Sequence, residues 1–220
     1  MGTLKILATG VAAAAVMAGT VPSAAADPGQ TVTTTLRQAI NDLPIMDEDR
    51  TGYTRDKFRH WVDADRDGCN TRAKVLITEA IVPPTVGPGC AISGGLWHSY
   101  YDDMQQTVAR SLDIDHMVPL AEAWDSGAST WTATQRQDYA NDLGDERMLA
   151  AVTARENRSK ADQDPAQWLP SDAGARCQYV GEWAAVKTRW KLTADSREAN
   201  ALAQLAAGCP DEQITVELAH

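Results

Sequence analysis

Four cysteines, Cys69, Cys90, Cys177 and Cys209, constrain the folding of this 220-residue chain more than any other feature. They follow a start typical of exported proteins. Lys5 precedes the apolar, small-residue run ILATGVAAAAVMAGTV, and Pro22, Ser23 and Ala24–Ala25–Ala26 then supply a small-residue cleavage site. Residues 1–26 therefore read as a signal peptide, too short and too rich in Ala and Gly for a comfortable membrane span. The mature protein is expected to be secreted, with no membrane contact after cleavage. An even cysteine count in such a chain predicts two disulfides. Three pairings exist, and Cys69–Cys90 with Cys177–Cys209 is favoured because each closes a modest local loop. The wide spacing does not resemble a compact zinc site.

The balance of 20 Lys+Arg against 30 Asp+Glu gives a formal net charge of -10. That excludes a histone-like binder and argues against tight nonspecific wrapping of nucleic acid. At 44% hydrophobic residues and with no repeat, the chain can bury one core, so a monomeric single domain is expected. The expected division is a signal peptide over 1–26, a flexible mature start with a short helix over 27–44, and one domain over 45–220.

Within that domain the patterning is mixed. Leu36, Ile40 and Leu43 predict a helix over 35–43, and Thr54, Phe58 and Trp61 predict another over 54–62. AKVLITEAIV fits a strand or a helix equally well. Residues 107–116 alternate as a strand, and 148–152 form a second short apolar strand. A helix over 134–143 is expected from a capping box of Thr134 and Gln137, and a further capping box of Thr153 and Glu156 opens a helix through ARENRSKAD. Longer helices are expected over 175–191 and 196–207. Residues 176–197 offer a local basic face through Arg176, Lys187, Arg189, Lys191 and Arg197, against Glu182 and Asp195.

The chemical centre is LDIDHMVPLAEAW (112–124) with VTARENRSKAD (152–162). Asp115 and His116 end one predicted strand. Asn157 and Lys160, three apart, share a face of the helix after the other. If the strands pair, Asp115, His116 and Asn157 meet around one cavity. A carboxylate and an amide oxygen can hold a hard cation, and a neutral imidazole beside them can take a proton from water. Lys160, Arg158, Arg155 and, more remotely, Arg72 are candidate phosphate contacts. The set suits phosphodiester hydrolysis with one divalent cation, Mg²⁺ or Mn²⁺.

The segments DIDHMVPLAEAWDSG, YANDL and AVTARENRSKADQDPAQWLP resemble the HNH, or ββα-metal, endonucleases. More narrowly, they resemble exported actinobacterial nucleases related to the C-terminal nuclease domain of modification-dependent restriction enzymes. The resemblance implies an α+β fold: a single disulfide-stapled domain with mostly helices around an embedded ββα-metal motif within 107–162. It implies that His116 is the general base, Asp115 and Asn157 are metal ligands, and Lys160 is the lysine that follows the last ligand. Asn141 is the candidate for the central asparagine that orients the histidine. DNA is the implied substrate, with RNA as a second candidate, cut with little sequence preference to leave a 5′ phosphate and a 3′ hydroxyl.

A separate motif, DADRDG, places Asp63, Asp65 and Asp67 like the start of a calcium loop, with Lys74 where such a loop ends in glutamate. It is a candidate structural Ca²⁺ site. Two other functions compete with the nuclease: a noncatalytic extracellular calcium-stabilised binding protein, and a metal-dependent phosphoesterase for small molecules.

Overall fold

A computed structural model describes residues 1–2 and 29–219. Apart from its first two residues, the signal peptide expected over 1–26 lies outside the described residues, as does His220. The chain opens with strand β1 (Thr31–Thr35), and helix α1 (Leu36–Asn41) follows at once. The Thr35 hydroxyl caps α1 by accepting from the Gln38 N–H, and Leu36 and Ile40 face the core. Helix α2 (Thr71–Thr78) resolves the ambiguity of AKVLITEAIV: Asn70 caps it, and its residues Val75 and Leu76 are buried. Short strands follow as β2 (Thr85–Gly87), β3 (Ala91–Ser93), β4 (Trp97–Ser99) and β5 (Met104–Gln106).

The central segment holds β6 (Leu112–His116), α3 (Leu120–Asp125), α4 (Ala133–Ala140), β7 (Leu149–Thr153) and α5 (Ala154–Lys160). The chain closes with α6 (Arg176–Arg189), α7 (Ser196–Ala207) and β8 (Gln213–Glu217). β6 and β7 pair antiparallel, with Asp115 opposite Ala150 and His116 opposite Leu149. The Thr153 hydroxyl accepts from the Glu156 N–H, so the chain turns directly from β7 into α5. The result is a hairpin with a helix packed back across it, inside a mixed α+β domain. Both disulfides follow the local pairing, Cys69–Cys90 and Cys177–Cys209.

Several expectations need correction. The helix expected over 54–62 is only a 3-10 turn at Arg55–Lys57, because Trp61 takes a left-handed φ of 57° that a helix cannot contain. The strand expected over 107–116 begins at Leu112, after a 3-10 turn at Ala109–Ser111. The capping box of α4 is Thr132 with Gln135, two residues earlier than predicted. Part of the supposedly flexible start is β1, which pairs with β8 from Thr31↔Glu217 to Thr35↔Gln213. The alternation that buries Ile214 and Val216 drives this pairing.

Helix α6 is the centre of the core. Tyr179, Val180, Trp183, Ala184 and Val186 are buried along it, and it packs against α1, α7 and β8. Lys187 and Arg189 are also buried, so the predicted basic face does not form. Arg189 turns inward to Asp142 at 2.7 Å, and Lys187 is enclosed between carboxylates.

Candidate active site

β6 positions two neighbouring side chains in opposite directions, as strand geometry requires. Asp115 points toward α5. Its Oδ2 accepts from Tyr101 Oη at 2.7 Å and from Lys160 Nζ at 2.5 Å, which leaves Oδ1 outside both bonds. His116 points toward the end of α4, where its Nε2 meets the Ala140 carbonyl at 3.0 Å. Ala140 is the last residue of α4, and the final carbonyls of a helix have no partner within it. A carbonyl can only accept, so Nε2 carries the hydrogen and Nδ1 keeps a free lone pair. Burial pushes the His116 pKa down to about 3, so the imidazole is neutral near neutral pH.

Asp115, His116 and Asn157 line one pocket of about 250 Å³, together with Arg55, Arg158 and Asp162. The amide nitrogen of Asn157 donates to Asp113 at 3.3 Å, so Oδ1 is its free atom. One carboxylate oxygen and one amide oxygen therefore remain for a ligand. That donor set fits a hard divalent cation with water and phosphate in its other positions. Among the described residues, three other groups of carboxylates can also hold a cation, and none of them includes Asp115.

The phosphate-binding expectations fare unevenly. Lys160 is fully buried and donates to Asp115 and to the carbonyls of His116 and Met117, at 2.9 and 2.8 Å. Its three donors are used inside the protein, so it cannot reach a phosphate. On the face the two residues share, Asn157 reaches the pocket while Lys160 is enclosed against β6. Arg72 donates to the carbonyl of Leu112 at 3.0 Å and ties α2 to β6. Arg155 pairs with Asp102 and Glu156, away from the pocket. Arg158 alone of the four lines the pocket, bonded to Asp113 through Nε at 3.2 Å. Arg55 lines it as well. Sequence reasoning missed Arg55 because its 3-10 turn has no periodic signature.

Asn141 does not touch His116. Its Oδ1 accepts from Val62 N–H at 3.0 Å and Thr71 Oγ1 at 2.8 Å. Its Nδ2 donates to the carbonyls of Arg59 and Gln137, each at 2.7 Å. It thus grips the chain on both sides of His60 and Trp61. Trp61 stacks on the His116 ring with centroids 5.4 Å apart, and the His60 ring meets His116 edge-on at 6.4 Å. The left-handed backbone at Trp61, unfavourable for a residue with a Cβ, is held by these flanking bonds. Asn141 thus holds the loop that carries Trp61, and the group hydrogen-bonded to the His116 ring is the Ala140 carbonyl.

The DADRDG loop stands apart from this pocket. Asp63, Asp65 and Asp67 form one of the carboxylate groups. Lys74 already inserts an ammonium between Asp65 and Asp67, at 2.5 and 3.2 Å. The position where a calcium loop has its glutamate therefore supplies a cation of its own.

The family model described as "GmrSD restriction endonucleases, C-terminal domain" matches residues 90–205, a span that includes the whole hairpin-and-helix unit. The chain belongs to this family. Among curated relatives, an "Uncharacterized secreted protein" of Arthroderma benhamiae is 42% identical over 158 residues, covering 72% of this chain and 76% of the relative. No solved structure matches. Membership in the GmrSD C-terminal family, together with the carboxylate groups, supports a metal-dependent nuclease-like function in general terms. Among the described residues, no helix is long and apolar enough to cross a membrane.

Proposed function

We propose that this GmrSD-family domain is a secreted, divalent-metal-dependent endonuclease of the HNH type. It hydrolyses DNA phosphodiesters with little sequence preference. The observation that carries the reading is the state of His116: Nε2 is tied to a backbone carbonyl while its ring lines the same pocket as Asp115 and Asn157. His116 Nδ1 takes the proton of an attacking water. The imidazolium that forms is favoured by the negative end of α4, to which it already donates. Asp115 Oδ1 and Asn157 Oδ1 would hold Mg²⁺ or Mn²⁺, which would supply charge stabilisation at the phosphoryl and leaving oxygens. Arg55 and Arg158 receive the phosphate on the open side of the pocket.

Secretion accords with the signal peptide read over residues 1–26, the two disulfides and the naming of the Arthroderma benhamiae relative as a secreted protein. The acidic chain predicts weak, salt-sensitive DNA binding, with little affinity beyond the metal and the two arginines.

Incubation of the purified mature protein with supercoiled plasmid tests the reading. Nicking should require Mg²⁺ or Mn²⁺, stop on chelation, and fall about 100-fold or more in His116→Ala with unchanged thermal unfolding. Intact plasmid across a full metal series would reject the nuclease. If the same protein instead hydrolysed only small phosphodiesters, the phosphoesterase reading would replace it.

A further inference from the structure

Outside the pocket, the loop between α1 and the Arg55 turn meets a cluster of carboxylates that the nuclease reading does not use. Glu122 and Asp125 are three apart on α3 and therefore share a face. Opposite them stands Glu48. One carboxylate oxygen from each of Glu48, Glu122 and Asp125 lies within 4.8 Å of the others, and the same holds for Glu48, Asp164 and Asp195.

Compensation by protein cations is incomplete. Arg50 binds Asp125, Lys187 binds Glu122 and Glu198, and Arg197 binds Asp164. With Asp162, which Arg50 also reaches, these three cations face seven carboxylates, the others being Glu48, Glu122, Asp125, Asp164, Asp195 and Glu198.

An independent observation points to a ligand. Asp125 is 6% exposed, and both contacts from Arg50 go to its Oδ2 at 2.6 Å. Its Oδ1 is buried with no hydrogen-bond partner. A buried carboxylate oxygen without a partner is rare in folded proteins because nothing replaces its lost hydration. Glu122 is arranged in a parallel way. Its Oε1 accepts from Ser126 and Lys187, at 2.6 and 2.8 Å, leaving Oε2 outside those bonds.

We propose that Glu48, Glu122 and Asp125 form a second cation site, separate from the His116 pocket, that binds one Ca²⁺ and clamps the Glu48 loop to α3. Calcium fits better than magnesium. Calcium tolerates irregular carboxylate geometry, whereas magnesium demands a near-ideal octahedron and keeps several of its waters. Glu48 is exposed, so the ion can enter from solvent. The clamp also has a route to the pocket: Arg50, two residues after Glu48, bridges Asp125 to Asp162 on the pocket rim. The role is structural, and it does not depend on the nuclease reading.

The test is calcium binding by the full mature chain, stripped of metal and free of nucleic acid. Calorimetric titration with CaCl₂ and thermal unfolding are compared for the wild type, Glu48→Gln, Asp125→Asn, Asp195→Asn, Asp65→Asn and Asn157→Ala. Wild type should bind Ca²⁺ and unfold at a higher temperature. Glu48→Gln should weaken binding at least tenfold and remove most of that rise. Asp195→Asn, Asp65→Asn and Asn157→Ala should retain both. Asp125→Asn also disturbs Arg50, so Glu48→Gln decides if that variant fails to fold. Absence of calcium binding in the wild type overturns the proposal. So does binding that survives Glu48→Gln, or that is lost in Asp65→Asn or Asp195→Asn instead. Plasmid cleavage is not the readout, so failure of the nuclease reading would leave this result standing.

Discussion

Lys160 and Lys187 are both fully buried, and both stand 5.7 Å from the Trp183 ring, yet they are balanced differently. Lys160 faces one carboxylate, Asp115, and two backbone carbonyls. Lys187 faces two carboxylates, Glu122 at 2.8 Å and Glu198 at 2.5 Å, with Ser126 and the Thr193 carbonyl completing its shell. Burial lowers the Lys160 pKa, and Asp115 does not restore it; burial also raises the Asp115 pKa. Around Lys187 burial acts in the same sense, but Glu122 and Glu198 outweigh it and the pKa rises. The Lys187 cluster is thus a staple between α3, α6 and α7. The Lys160 pair opens on one side to the pocket, and it holds Asp115 with one oxygen left over. Two buried lysines of similar appearance therefore differ in how many carboxylates balance them, and so in whether burial or charge decides their protonation.

Removing each lysine tests that contrast most strongly. Lys187→Met leaves Glu122 and Glu198 buried without their cation and should cost about 3–5 kcal/mol in denaturant unfolding. Its folded fraction should still nick DNA. Lys160→Met should cost less stability, since a lone Asp115 can take up a proton, but should slow nicking by about 10–100-fold through loss of the group that orients the proposed metal ligand. Equal effects of the two variants on both readouts would erase the distinction.

A milder probe leaves both lysines in place. Asn141→Ala removes four hydrogen bonds around the loop that carries Trp61 and should cost about 2 kcal/mol. The Trp61–His116 stack should loosen, visible in tryptophan fluorescence, with kcat falling and KM nearly unchanged. An unchanged kcat would assign Asn141 to stability alone.

The smallest effect is expected at a partly exposed pair, a control for the buried ones. Burial by itself would raise the Asp145 carboxyl, but bonds from the Arg147 side chain and backbone outweigh it and hold its pKa below the ordinary 3.8. A depressed carboxyl adds stability above its unfolded-state pKa and loses it as pH falls through the folded value. Asp145→Asn should thus cost about 0.5–1 kcal/mol at pH 7, a cost that fades below pH 3.8. Urea unfolding at the two pH values measures it. A pH-independent difference would assign the effect to packing.

Much of the candidate site was legible because its signals are local. A strand ending in Asp115–His116, and a capped helix carrying Asn157 right after a second strand, follow from period, capping and chain order. Local loop closure likewise favoured the cysteine pairing that forms. Lys160 was misread because residue spacing reports which helix face a side chain shares, not what that face packs against. The β1–β8 pairing was missed although residues 213–217 alternate, because the partner lies at the opposite end of the chain. Arg147, which pairs with Asp145 and the Thr215 carbonyl, ties the residues just before β7 to β8.

What the sequence determined by itself is the chemistry at hand: a carboxylate beside an imidazole, an amide on a capped helix, and two short disulfide loops. Only the tertiary structure decided which polar atoms are already occupied. It tied His116 Nε2 to the end of α4, enclosed Lys160, brought Arg55 to the pocket and left Asp125 Oδ1 unpartnered. The reason is that periodicity and capping act over a few residues, whereas a hydrogen bond's partner is set by the packing of segments dozens of residues apart.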